Sequence, residues 1–141
     1  MAYCTQTDIL ELMSSADLVD VTDDADAGTV DTDAVDRAIA DADAEIDGFC
    51  GERYPVPFTT VPDIIRKMAV DMAIYNLYAR RRGAPEDRKI RYDAAIDRLT
   101  AVAAGTFSLG ADDPDGVPSE GNAPTISSST RIFSRSKMTG F

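Results

Sequence analysis

Five apolar residues set the first constraint on this chain. Val35, Ile39, Ala42, Ile46 and Phe49 follow one another at steps of four, three, four and three, and acidic residues fill most of the positions between them. That period lines one side of a helix over residues 32–49 and leaves the other side charged. An apolar stripe of this kind is stable only when covered, so the chain must supply further elements to pack on it. Gly48 and Gly51 close the helix. Pro55 and Pro57 then impose an extended stretch over 54–59, because proline fixes its own φ and restricts the residue before it.

The covering elements are also helical in pattern. Thr5 followed by Asp8 reads as a capping box, and Ile9, Leu10, Leu12 and Met13 give a first short helix from Gln6 an apolar stripe. Ser14 and Ser15 break it, residues 16–21 form one further turn, and the run Asp23, Asp24, Asp26 with Gly28 is a solvated loop. Thr60 with Asp63 reads as a second capping box, with Pro62 in the first turn of a long helix. In that helix Ile64, Ile65, Met68, Ala69, Met72, Tyr75, Leu77 and Tyr78 spread over more than one face, which predicts central burial. Arg80, Arg81 and Arg82 suit the negative end of its dipole. Gly83 and Pro85 make a turn into a last helix, residues 85–104, which turns Tyr92, Ala95, Ile96, Leu99, Val102 and Ala103 inward and is capped by Gly105.

Beyond Leu109 the composition changes to Gly, Pro, Asp and Ser, and then partly back. The division expected is a helical body over 1–109, a flexible or extended linker over 110–125 and a tail over 126–141. Ile132, Phe133, Met138 and Phe141 stand in that tail beside Arg131 and Arg135, a composition suited to docking on another molecule. The fold class is all-α: a four-helix bundle-like body with an extended C-terminal tail, a β-strand when docked. A length of 141 residues suits one core, and the scarcity of aromatics, 7% with no Trp, suits closely packed Ala-rich helices. Cys4 and Cys50 are far apart and read as two buried thiols.

Charge is unevenly spread. Residues 1–63 hold 16 acids against 2 bases, residues 64–99 hold 5 against 9, and the whole chain carries −11. Copies of such a molecule can associate head to tail with opposite charges facing. The residues expected at that interface are Asp36, Asp41, Asp43 and Asp47 on one side and Arg80, Arg81, Arg82 and Arg88 on the other.

Several chemistries lack their residues. The chain has no His, so imidazole-based acid–base catalysis and the commonest zinc ligand are absent. The carboxylates of residues 36, 41, 43 and 47 fall on a polar helix face, where hydration keeps them ionised. A calcium loop over 23–34 would need ligands where Ala25, Ala27 and Ala34 stand. The basic cluster around Arg80–Arg82, Arg88, Lys89 and Arg91 has no interleaved aromatics and sits on an acidic chain. No apolar run is long enough to cross a bilayer. Neither an enzyme nor a cofactor or metal protein is expected.

One longer pattern is distinctive. Ala38-Ile39-Ala40-Asp41-Ala42-Asp43-Ala44-Glu45-Ile46-Asp47-Gly48-Phe49 is followed by Gly51-Glu52-Arg53-Tyr54-Pro55-Val56-Pro57. With Tyr3, Thr5-Gln6-Thr7-Asp8, Val61-Pro62, Tyr75-Asn76-Leu77-Tyr78, Arg91-Tyr92-Asp93-Ala94-Ala95-Ile96, Gly105-Thr106-Phe107-Ser108-Leu109-Gly110, Arg131-Ile132-Phe133-Ser134-Arg135 and Gly140-Phe141, it resembles the Mu-like neck protein family of tailed phages. The acidic loop and the linker match least.

The resemblance implies a helical head–tail connector of the virion neck. Such a connector forms a twelve-membered ring beneath the portal, with DNA passing through its lumen unbound. The portal protein, further copies of the chain and a stopper or tail-terminator protein are the implied partners. The tail residues Arg131, Ile132, Phe133, Arg135, Met138 and Phe141 are the implied portal contact. A stopper or tail-completion protein of the same neck and a small acidic DNA mimic are the alternatives.

Overall fold

From Met68 to Ile74 every residue is buried, one whole helical circumference without a solvent face. This run lies in the fourth of five helices in the computed structural model, which describes residues 1–81 and 83–110. The helices are α1 (Gln6–Leu12), α2 (Ser15–Thr22), α3 (Thr32–Cys50), α4 (Asp63–Ala79) and α5 (Glu86–Ala103). No strand occurs among the described residues, and the fold is all-α. No helix among them is long and apolar enough to cross a membrane.

Helices α3, α4 and α5 pack on one another, α1 lies on α4, and α2 rests against α3 and α4. The α3 stripe goes inward as its period requires, with Val35, Ile39, Ala42 and Ile46 buried and Phe49 at the margin. Ile65, Met68, Met72, Ile74 and Leu77 fill the centre from α4, and Ala95, Leu99 and Val102 close it from α5. Ala69 and Ala73 keep the helices close. Burying each large apolar side chain contributes about 1.5–3 kcal/mol.

The chain's stops and starts are chemically explicit. Thr5 caps α1 in a complete capping box with Asp8. Ser14 does not merely interrupt: its hydroxyl accepts from the Asp17 amide, so the turn expected over 16–21 is a helix in its own right. Asp31 caps α3 by accepting from the amides of Asp33 and Ala34. The second capping box does not form. Pro62 itself is the N-cap of α4, extended at ψ 144, and α4 has no side-chain cap, because Thr60 lies two residues before that N-cap. Between α3 and α4 the Val56–Pro57 peptide is cis. Cys4 and Cys50 are buried free thiols.

After α5 the backbone reverses at Gly105, which has φ +78, and the amides of Thr106 and Phe107 return to the Ala101 carbonyl. A Cβ there would also meet the Arg53 guanidinium at 3.3 Å. Gly105→Ala is therefore expected to lower stability by about 1 kcal/mol, read as a fall in urea midpoint at unchanged m-value.

Candidate functional site

The polar side of α3 is where the described residues concentrate their chemistry, and two of its carboxylates are less hydrated than their pattern implied. Asp43 and Asp47 stand one turn apart, half-buried, and both face Tyr3. The Tyr3 amide donates to Asp43 at 3.2 Å to Oδ1 and 3.3 Å to Oδ2. The Tyr3 hydroxyl donates to Asp47 Oδ1 and accepts from the Phe58 amide at 3.1 Å. Its ring lies 5.6 Å from that of Phe58, which lies 6.1 Å from that of Tyr54. The Tyr54 hydroxyl accepts from the Leu109 amide at 3.1 Å. One aromatic row thus ties the N-terminal segment, the Pro55–Pro57 turn and the end of the helical body to α3. Burial, opposed by the Tyr3 amide and aided by neighbouring Asp47, holds the Asp43 carboxyl above its usual range.

A second tie joins the three long helices. Tyr75 of α4 and Tyr92 of α5 stack with centroids 4.2 Å apart, and the Tyr92 hydroxyl donates to Glu45 of α3 at 2.9 Å. Burial and that bond to a carboxylate push the Tyr92 phenol up to about 12. Below it on α4 sits Asp71, 4% exposed, with Lys67 Nζ at 3.0 Å and Arg91 Nη1 at 3.6 Å. Its Oδ1 makes no hydrogen bond among the described residues.

The basic end of α4 has partners inside its own chain. Arg80 pairs with Asp24 at 2.8 Å and donates to the carbonyls of Val21 and Thr22, so it completes the C-terminus of α2 and not that of its own helix. Arg81 donates to the Asp23 carbonyl and lies 3.5 Å from Asp24. Asp23 turns its carboxylate onto the amides of Ala25, Ala27 and Gly28, and the bonds from Ala27 and Gly28 hold its carboxyl below the usual range. The acidic loop is therefore folded around its own oxygens and two arginines.

The expected interface residues fall into three groups. Asp43, Asp47, Arg80 and Arg81 have the intrachain partners just described, and Arg88 donates to the Leu12 carbonyl at 2.8 Å and lies 3.6 Å from Asp87. Asp36 and Asp41 are exposed. Asp41 borders a groove of about 450 Å³ between α3 and α4 with Arg37, Asn76 and Arg80. Arg82 and the tail residues Arg131, Ile132, Phe133, Arg135, Met138 and Phe141 lie outside the described residues. Asp71, the bonds of Tyr3 to the α3 carboxylates and the stacking of Tyr75 on Tyr92 were not singled out from the sequence. The spacing of Asp43 and Asp47 held a signal, since carboxylates one helical turn apart can both be bound by one residue.

These features define a small, acidic, all-helical protein whose polar groups knit its own helices together, with no metal-binding cluster among the described residues. The pattern of the bacteriophage Mu Gp36 family matches residues 3–128, and the chain belongs to that family. It is similar to the Mu-like prophage FluMu protein gp36 of Haemophilus influenzae, at 31% identity over 116 residues that cover 82% of this chain and 81% of that protein. It is also similar to gene product J of Escherichia phage Mu, at 28% identity over 138 residues, 97% of this chain and 89% of that one.

Asp47→Ala strips the Tyr3 hydroxyl of its acceptor and is expected to cost about 1–3 kcal/mol. Asp43→Asn keeps an acceptor for the Tyr3 amide while removing a disfavoured charge, and is expected to cost nothing at neutral pH. Urea denaturation of the two variants checks the ordering. At high pH five groups act together. Burial pushes Cys4 up to about 12 and Cys50 up to about 11, and it raises Tyr3, Tyr78 and Tyr92 as well. Each favours its neutral form in the folded state, so its contribution is whole below the unfolded value, 9.0 for a thiol and 10.0 for a phenol, and is lost as pH rises through the folded value. Thermal melts should show an alkaline loss of stability that begins near pH 9 and steepens toward 12.

Proposed function

We propose that this chain is a structural protein of a tailed-phage neck: a head–tail connector, non-enzymatic, that assembles as a ring between portal and tail in the virion. The observation that carries the reading is membership of the bacteriophage Mu Gp36 family over residues 3–128, with a gene product of phage Mu itself among the relatives. The fold supports it. Interlocked helices make a stiff body, as a load-transmitting ring element requires, and five helices with no strand among the described residues favour a helical adaptor over a strand-built stopper.

In this reading Asp36 and Asp41 face the basic end of α4 and the start of α5 in the next copy. Exposed pairs of this kind contribute under about 1 kcal/mol each, so they set orientation while apolar contacts supply affinity. Arg80 and Arg81 reach such a neighbour only in competition with their own Asp24. The chain's excess of acids keeps the lumen repulsive to DNA phosphate. The tail, with Ile132 and Phe133 flanked by Arg131 and Arg135, contacts the portal, and repetition around the ring multiplies a modest contact into avidity.

Portal capture of the full chain and of a chain ended at Thr125 tests this. Retention of the full chain with a mass corresponding to a multi-copy ring, and its loss on truncation, is the expected outcome. Undiminished capture of the shortened chain removes the tail from the portal contact.

A further inference from the structure

A second groove, also about 450 Å³, runs between the N-terminal segment and α3. Met1, Ala2, Cys4, Ile39 and Ala40 make its apolar wall, Asp36 and Asp43 are its acids, the Met1 ammonium acts on Asp43, and no Lys or Arg side chain lines it. Ile39 and Cys4 are buried, whereas Ala40 and Asp36 stand exposed at its edge. An apolar trough with two acids, one terminal ammonium and no basic side chain fits an apolar segment edged by bases.

The same chain owns such a segment. Residues 126–141 contain Ile132, Phe133, Met138 and Phe141 together with Arg131, Arg135 and Lys137, and no acid. The described chain ends one aromatic row away from the groove. Leu109 is bonded to Tyr54, Tyr54 meets Phe58, Phe58 meets Tyr3, and the Tyr3 amide is bonded to Asp43 in the groove wall. The 15 residues 111–125 extend to about 50 Å at most, far more than two ring-to-ring contacts of 6.1 and 5.6 Å require. A tether that short raises the local concentration of the segment to the millimolar range, so a weak site suffices in the free chain.

We propose that this groove seats the chain's own residues 126–141 before assembly, with Ile132 and Phe133 against Ile39 and Ala40, and Arg131 and Arg135 at Asp36 and Asp43. The groove keeps the apolar segment covered until a partner competes for it. That partner is the portal, a clause that rests on the connector reading.

Backbone amide NMR of the full chain tests the seat. Ending the chain at Thr125 should shift the amides of Ala2, Gln6, Asp36, Ile39 and Ala40 and leave those of α5 in place. Ala40→Trp fills the trough and Asp36→Lys reverses its charge. Each replaces an exposed side chain, so circular dichroism should be unaltered while the amides of residues 131–135 move to random-coil positions. Groove amides indifferent to truncation overturn the proposal. Shifts that grow with concentration alongside a rise in mass overturn it too, by making a second copy the occupant. Phage heads that lack the chain yet still join tails would sink the connector reading and leave the amide result standing. Indifferent amides would do the reverse.

Discussion

Helix α4 is enclosed on every side between Met68 and Ile74, and the rest of the molecule follows from the need to enclose it. A helix with no solvent face must be met from all directions, so α3 and α5 take two sides and the short helices α1 and α2 take what remains. The interior is built from Ile, Met and Leu interleaved with Ala, which brings the helix axes close and leaves little room for aromatics. Those collect instead in the Tyr3–Phe58–Tyr54 row and the Tyr75–Tyr92 stack, where the hydroxyls of Tyr3, Tyr54 and Tyr92 each keep a polar partner. Asp71 is the exception inside α4. It is tolerated because Lys67 and Arg91 reach it from half-exposed positions, which keeps both cations hydrated while their charge compensates the carboxylate.

The uneven charge of the chain is partly spent within it. The acidic loop after α2 closes on Arg80 and Arg81, and the α3 carboxylates at 43 and 47 hold Tyr3. A charge asymmetry read along the sequence therefore overstates what remains for a neighbour. Two exposed acids of α3, Asp36 and Asp41, border grooves of about 450 Å³ each, one with arginines at its edge and one without. That difference separates a groove lined by arginines of its own chain from one that no basic side chain lines.

Much of the architecture was legible because it is local. The stripe of α3, the Thr5–Asp8 box and the reversal at Gly105 each depend on residues within a few positions, and all three form. The second capping box failed for an equally local reason: Pro62 occupies the N-cap and leaves Thr60 outside. The Ser14 cap turned an expected single turn into a helix of eight residues. The candidate interface was legible only as charge, since exposed carboxylates and carboxylates that bind a distant Tyr are the same letters in a sequence.

By itself the sequence determined which long segments are helical and that one of them lies at the centre. Periodicity, caps, proline and glycine act over a turn or two, so a linear reading holds them. Only the tertiary structure decided which acids are spent. Tyr3 meets Asp47 across 44 positions and Arg80 meets Asp24 across 56. Such pairings are chosen by how the helices pack, because a carboxylate bonds whichever donor the fold brings within about 3 Å.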